Sequence, residues 1–109
     1  MKYTMSPNIA VRTPNKEEAI NFYSKVLGFA ERASQKEYAD LDAKPINLFI
    51  INDDDVKGPV MELFVDNLEE AKEELVANGC KVIKWLGKGQ DCYIQDPFGV
   101  IFNIWETKE

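Results

Sequence analysis

The sequence predicts an α+β fold in which one domain is built from two βαβββ modules. The first observation is an internal repeat: the segment NKEEA at Asn15 recurs 52 residues later as NLEEA at Asn67. A second match, between Asp42 and Asp96, extends the repeat beyond the predicted helices. The third observation is hydrophobic alternation, which places strands before and after each helix. We therefore expect residues 1–109 to form a single domain with two similar halves.

The first module, about residues 7–52, carries one predicted helix and four predicted strands. The helix begins after Asn15, where Glu18 completes a capping box, and it ends at Gly28. The predicted strands are short segments of alternating or continuous apolar character, at residues 7–13, 29–34, 37–42 and 46–52. The residues before Pro7 are interpreted as a short lead-in.

The second module, about residues 59–107, repeats this order after a linker at residues 53–58. Asn67 and Glu70 form the second predicted capping box, and the helix ends near Asn78. The predicted strands lie at residues 60–65, 81–86, 91–95 and 100–105.

Composition argues against several partners. Thirteen basic and nineteen acidic residues give a net charge of −6 without a basic cluster, so we expect neither nucleic acid nor an anionic membrane as a partner. No apolar segment has the length of a membrane span or the character of a signal peptide. Cys80 and Cys92 do not form a disulfide framework, and we interpret them as small buried apolar side chains. The expected location is the cytoplasm.

The absence of histidine limits the chemistry further. It removes the usual acid/base group at neutral pH and the imidazole ligands of most zinc and iron sites. Oxygen ligands could still hold a hard cation, and three aspartates open the linker at residues 53–55. An EF-hand loop that began there would require Glu at position 64, which is Phe, so a solvated linker is the favoured interpretation. We expect no metal and no other cofactor.

Alternation assigns two faces to the strands. The apolar face, which the helices should cover, comprises Ile9, Val11, Leu48, Ile50, Met61, Leu63, Val65, Val100, Phe102 and Ile104. The opposite face is mixed and includes the candidate ligand-binding residues Asn8, Arg12, Asn47, Phe49, Glu62, Phe64, Asn103 and Trp105. Aromatic side chains with a few amides and one charge of each sign are typical of a small-molecule site. The alternative is that this face is hydrated or packs against a second subunit.

Three motifs carry a family resemblance: NIAVRTPNKEEAINFYSKVLGF from Asn8, MELFVDNLEEAKEEL from Met61 and IQDPFGVIFNIWE from Ile94. On these motifs the chain resembles the vicinal oxygen chelate superfamily. That superfamily includes lactoylglutathione lyase, fosfomycin-modifying enzymes, extradiol dioxygenases and bleomycin-resistance proteins. The resemblance implies paired βαβββ modules whose mixed sheet curls into a cup around the ligand, with the helices on the outer face.

In metal-using members of that superfamily, His and Glu at four strand positions hold a divalent ion. The motif alignment places Asn8, Phe49, Val60 and Asn103 at these positions, and none of them is a histidine or a carboxylate. The resemblance therefore implies a metal-less member, similar to the bleomycin-resistance proteins. Those proteins sequester a ligand without turning it over, and they are dimers with clefts between the subunits. We accordingly expect a homodimer.

The leading hypothesis is a metal-independent protein that sequesters an aromatic or cationic small molecule, as in antibiotic resistance, in a cup between modules or subunits. Arg12 and Glu62 would orient the ligand, while Phe49, Phe64 and Trp105 would stack on it.

Two other hypotheses remain. One is a metal-independent lyase, isomerase or transferase in which Glu62 acts as the base, with Tyr38 or Tyr93 as a candidate acid. The other is a structural or regulatory module whose cup is covered by a partner chain. The sequence does not show from which face of the sheet Tyr38, Trp85 and Tyr93 project, and it does not identify the ligand.

Overall fold

A computed structural model describes residues 2–107 and has the predicted βαβββ order twice. In chain order the elements are β1 (Tyr3–Thr13), α1 (Lys16–Asn21), β2 (Ala30–Ser34), β3 (Tyr38–Ala43), β4 (Ile46–Asn52), β5 (Gly58–Val65), α2 (Leu68–Ala77), β6 (Lys81–Trp85), β7 (Cys92–Gln95) and β8 (Ile101–Glu106). A π-helical turn at Phe22–Val26 continues α1, and Gly28 follows it with a φ of +81°, as a helix stop requires. Among residues 2–107, no helix is long and apolar enough to cross a membrane.

The strands form an eight-stranded mixed sheet in the order β2-β3-β4-β1-β5-β8-β7-β6, which confirms the predicted α+β class. Parallel pairing joins β1 to β4 and β5 to β8. Antiparallel pairing joins β2 to β3, β3 to β4, β6 to β7 and β7 to β8. The arrangement of parallel and antiparallel pairs is therefore the same in both modules.

The chain divides into two compact units. Of the described residues, the first unit comprises 7–60, and the second comprises 61–107 together with 2–6. Because β1 crosses this boundary, its first residues, as far as Ser6, belong to the second unit.

The start of β1 differs from the prediction. We expected a strand from Pro7 and a lead-in before it, but the strand begins at Tyr3. Tyr3 packs against the core of the second unit, and its hydroxyl donates to Glu74 Oε1 at 2.7 Å. Burial raises the pKa of Tyr3, and the hydrogen bond to Glu74 raises it further. These contacts join residues 71 positions apart, so the local sequence pattern did not reveal them.

The core of the first unit lies under α1. Its buried side chains are Ile20, Ala39, Leu41, Ala43, Leu48 and Ile50. Ile9 and Val11 of β1 pack against this cluster, which confirms the predicted apolar face of the first module. Full burial of a Leu or Ile side chain contributes about 1.5–3 kcal/mol, so Leu41 and Ile50, both fully buried, are among the main contributors to the stability of this unit.

The core of the second unit lies under α2 and comprises Val65, Leu68, Ala71, Cys92, Ile94 and Ile104. Leu63 and Phe102 pack against it, again on the predicted face. Val100 was assigned to this face, but it precedes β8 in the turn and is exposed, so that assignment was wrong. The thiols of Cys80 and Cys92 are free, and burial raises the pKa of each, as expected for packing residues.

The two helices begin differently. The side chain of Asn67 accepts a hydrogen bond from the amide of Glu70 at 3.0 Å, so α2 has the predicted N-cap. Asn15 makes no such bond to any residue within 2–107, and its own amide donates to Thr13 Oγ1 at 3.1 Å. The capping box predicted for α1 was therefore wrong.

Candidate functional site

The eight candidate ligand-binding residues are shared equally between the two units. Asn8, Arg12, Asn47 and Phe49 lie in the first unit, and Glu62, Phe64, Asn103 and Trp105 lie in the second. Strand register brings neighbours together within each set: Asn8 is paired with Asn47, and Glu62 with Asn103.

In the first unit, a chain of hydrogen bonds runs across four strands. Asn47 Nδ2 donates to Asn8 Oδ1 at 2.9 Å. Arg32 Nη2 donates to Asn47 Oδ1 at 2.9 Å and to Asp40 Oδ1 at 2.8 Å. Arg32 and Asp40 were not among the predicted site residues, because the weak alternation in β2 and β3 does not indicate which face their side chains occupy. Both amides are therefore held by neighbouring polar side chains.

Arg12 lies in the same unit and contacts Asp53. Only 4% of Arg12 is exposed, and its Nε and Nη2 lie 2.7 and 2.6 Å from Asp53 Oδ2. Asp53 Oδ1 accepts the amides of Asp55 and Val56 at 2.8 and 3.0 Å. Burial alone would raise the pKa of Asp53, but these amides and Arg12 together hold it below its usual value. For Asp53 the prediction of a purely solvated linker was wrong.

Phe49 is half-buried and lies beside Tyr38, with the ring centroids 6.0 Å apart and the rings inclined at 57°. The structure thus assigns Tyr38 to the face of Phe49. Tyr38 is 38% exposed, so this aromatic pair is partly accessible from solvent.

In the second unit, Glu62 is held at both carboxylate oxygens. Ser6 Oγ donates to Oε1 and Asn103 Nδ2 donates to Oε2, each at 2.9 Å. Asn103 Oδ1 accepts the backbone amide of Cys92 at 3.0 Å, which fixes the orientation of the Asn103 amide. Ser6 was missed because the residues before Pro7 were interpreted as a lead-in.

Phe64 and Trp105 are paired across β5 and β8, two residues beyond the pair of Glu62 and Asn103. Because side chains alternate along a strand, all four project from the same face. Tyr93 is paired with Asn103 across β7 and β8 and also belongs to this face, where only 2% of it is exposed. We call this surface the Glu62 face and define it by Ser6, Glu62, Phe64, Tyr93, Asn103 and Trp105.

Trp85 lies on the opposite side of the second unit, where it packs against the core. Its indole Nε1 donates to Glu69 Oε2 at 3.1 Å, and Lys72 Nζ lies 5.2 Å from the ring centroid. Trp85 and Trp105 therefore differ in surroundings, which makes Trp85 a useful control in ligand experiments.

The four positions that the family resemblance assigns to a metal do not form a donor set. Phe49 and Val60 have no donor atom. The amide oxygen of Asn8 accepts a hydrogen bond from Asn47, and that of Asn103 accepts one from Cys92. Within residues 2–107, no group of three or more His, Cys, Asp or Glu side chains is placed to hold a metal ion. These residues do not fit a divalent metal centre.

Comparisons with known proteins agree with this fold. A sequence profile described as the Glyoxalase/Bleomycin resistance protein/Dioxygenase superfamily matches residues 6–104. No curated protein matches the chain.

Several solved structures share the architecture. A hypothetical protein from Bacillus halodurans C-125 has a TM-score of 0.71 at 16% identity, over 100% of this chain and 97% of that one. A glyoxalase/bleomycin resistance protein/dioxygenase superfamily member from Vibrio splendidus 12B01 has a TM-score of 0.66 at 12% identity, over 97% and 100%. Homoprotocatechuate 2,3-dioxygenase from Brevibacterium fuscum has a TM-score of 0.64 at 19% identity, over 95% and 36%. At these identities the likeness shows the fold alone.

Proposed function

Because the chain belongs to the glyoxalase/bleomycin resistance protein/dioxygenase superfamily, we propose that it is a metal-independent binding protein for an aromatic or cationic small molecule. One observation carries the proposal: Glu62, held at both oxygens, shares its face with the aromatic pair of Phe64 and Trp105. An acidic group beside two aromatic rings suits a ligand with a positive charge and a flat apolar body.

The hydrogen bonds to Glu62 favour binding in a second way. Ser6 and Asn103 fix the carboxylate before a ligand arrives, so little side-chain entropy is lost when a cation docks. Phe64 and Trp105 are half-buried and lose little motion in stacking on a ring. A preorganised site of this kind supports sequestration of a ligand, the role that we propose for the protein.

Metal independence is supported by the lack of available donor atoms at the family's metal positions. The family's metal positions include an aromatic and an aliphatic side chain, and the two amide oxygens already accept hydrogen bonds. Affinity must then come from stacking and from the charge on Glu62. A ligand bound in this way should be held equally well in the presence and absence of a chelator.

The proposal is tested with 2-phenylethylamine as the probe, followed by NMR through the two indole resonances. We expect a saturable shift of the Trp105 resonance, because this ring shares a face with Glu62. The Trp85 resonance should remain nearly constant, since that ring packs on the core beneath α2. The variant Trp85→Phe assigns the two signals. No saturable shift of Trp105, or an equal shift of both rings, would contradict the proposal.

We also propose that the protein is a homodimer. Support comes from neighbouring apolar side chains exposed at the end of the first helix: Phe22 is 49%, Val26 69% and Leu27 47% exposed. An obligate interface would bury on the order of 2,000 Å² in total. Sedimentation velocity at micromolar concentration should show a dimer, and a monomer throughout the concentration range would contradict this.

A further inference from the structure

A cavity of about 350 Å³ lies at one end of the Glu62 face. Its lining residues all belong to the second unit and are Lys2, Thr4, Phe64, Val65, Asp66 and Thr107. Phe64 is common to the cavity and to the Glu62 face. The volume falls in the range of about 300–1,000 Å³ that is usual for small-molecule pockets.

These residues converge because they lie where β1 begins and where β5 and β8 end. Lys2 directly precedes β1, and Thr4 lies within it. Asp66 directly follows β5, and Thr107 directly follows β8. Phe64 belongs to the Glu62 face and Val65 to the core, so the cavity lies at the edge of that face.

The lining combines both signs of charge with hydroxyl groups and an aromatic ring. Lys2 supplies an ammonium group, Asp66 a carboxylate, and Thr4 a hydroxyl that can donate or accept. The Thr107 hydroxyl donates to the Val65 carbonyl oxygen at 3.5 Å and can still accept a hydrogen bond. Within residues 2–107, no side chain forms a hydrogen bond or ion pair with the side chains of Lys2 or Asp66. Both charges are thus available to a ligand, and Phe64 gives an apolar surface beside them.

We propose that this cavity selects a dipolar ligand, one that carries an anionic and an ammonium group next to an apolar or aromatic body, as an aromatic α-amino acid does. Lys2 binds the anionic group, Asp66 binds the ammonium group, and Phe64 stacks on the body. This inference rests on the proposed function and deepens it, because it adds a requirement for a negative charge on the ligand.

The experiment compares three probes with the same phenyl-bearing body: L-phenylalanine, 2-phenylethylamine and 3-phenylpropanoate. Titration calorimetry or NMR should give the tightest binding for L-phenylalanine, the dipolar probe. Asp66→Asn should weaken L-phenylalanine about three- to fivefold, and it should leave unchanged both 3-phenylpropanoate and 2-phenylethylamine, whose ammonium group binds Glu62. Lys2→Gln should weaken L-phenylalanine and 3-phenylpropanoate by a similar factor and leave 2-phenylethylamine unchanged.

Charge-matched controls are available on the same unit. Glu73→Gln and Lys81→Gln each remove one exposed charge outside the cavity, and we expect neither to change the three affinities. All four substitutions replace exposed side chains, so folding should be preserved.

Three outcomes would overturn the inference. If 2-phenylethylamine binds in a manner that depends on Glu62 and L-phenylalanine binds no tighter, the cavity does not select a dipolar ligand, while the proposed function stands. If Lys2→Gln and Asp66→Asn leave the affinity for L-phenylalanine unchanged, the two charges play no part. Absence of binding by all three probes at about 10 mM, where a Kd of about 1 mM would give near saturation, would contradict both proposals.

Discussion

Asn103 donates its side-chain amide to Glu62 at 2.9 Å while its carbonyl oxygen accepts the backbone amide of Cys92 at 3.0 Å. One amide thus joins the acidic group of the candidate site to β7, a strand buried in the core of the second unit. The same position in metal-using relatives holds a metal ligand, according to the motif alignment. In this chain the residue instead fixes the position of a carboxylate.

Asn103→Ala tests that role. The substitution removes the acceptor of the Cys92 amide and a donor to Glu62, so we expect it to lower the free energy of unfolding by about 1–3 kcal/mol. Urea denaturation measures the change. Gln90→Ala, in an exposed turn, is the control and should stay within about 0.5 kcal/mol of the wild type. Equal stability of both variants would show that the two bonds of Asn103 contribute nothing measurable.

Asp53→Ala should destabilise the first unit. It removes a carboxylate that accepts hydrogen bonds from Arg12 and from two backbone amides, and bonds to charged groups contribute about 1.5–3 kcal/mol. The neighbouring Asp54→Ala is the matched control, because Asp54 is exposed, and it should change stability by less than about 0.5 kcal/mol. Similar losses of stability in both variants would show that the hydrogen bonds of Asp53 contribute no more than an exposed carboxylate does.

The same carboxylate predicts a dependence of stability on pH. The folded-state pKa of Asp53 is lowered below its ordinary value, so the contribution of this carboxylate to stability is present above that ordinary value and is lost as the pH falls through the folded pKa. The stability difference between the wild type and Asp53→Ala should therefore shrink in acid below about pH 4. A difference that stays constant from neutral pH to about pH 2 would contradict a contribution of the ionised Asp53 carboxylate to stability.

Trp105→Ala and Trp85→Phe should separate ligand binding from packing. We expect Trp105→Ala to weaken 2-phenylethylamine by about 1–3 kcal/mol if the indole lies near the centre of the site. Trp85→Phe should lower the melting temperature, because Trp85 packs on the core and donates to Glu69, and it should leave affinity unchanged. Titration and thermal unfolding of both variants give the comparison. Unaltered affinity in Trp105→Ala would remove this residue from the site.

The fold could be predicted from the sequence because its signals are local. Each signal is contained in a short segment of sequence: the NKEEA and NLEEA helix starts, the glycine at position 28 and the alternation within each strand. Most strand ends agree with the prediction to within two residues. The missed start of β1 depends on the contact between Tyr3 and Glu74, which the local pattern cannot show.

The candidate site could be predicted only in part, for a related physical reason. Alternation placed Glu62, Phe64, Asn103 and Trp105 on one face, and the strand register agrees. It could not identify Ser6 as a partner of Glu62 or Asp53 as a partner of Arg12, because these pairs are 56 and 41 residues apart. Whether the eight candidates bind a ligand stays a prediction.

Metal content is a further test. We expect protein purified without added metal to lack stoichiometric zinc, nickel, manganese and iron, because the four family positions offer only two amides, an aromatic and an aliphatic side chain. Elemental analysis after dialysis measures this. A stoichiometric transition metal that survives dialysis would contradict the metal-independent account.

The most direct test of the Glu62 face is a comparison of a charged and a neutral ligand of similar shape. The measurement is the ratio of Kd values for 2-phenylethanol and 2-phenylethylamine, in the wild type, in Glu62→Gln and in the exposed control Glu73→Gln. We predict that Glu62→Gln weakens the amine about fivefold, or about 1 kcal/mol, and changes the alcohol less than about twofold. The control should retain the wild-type ratio. If Glu62→Gln leaves the ratio unchanged, Glu62 does not bind a cationic ligand, and the proposed function is wrong.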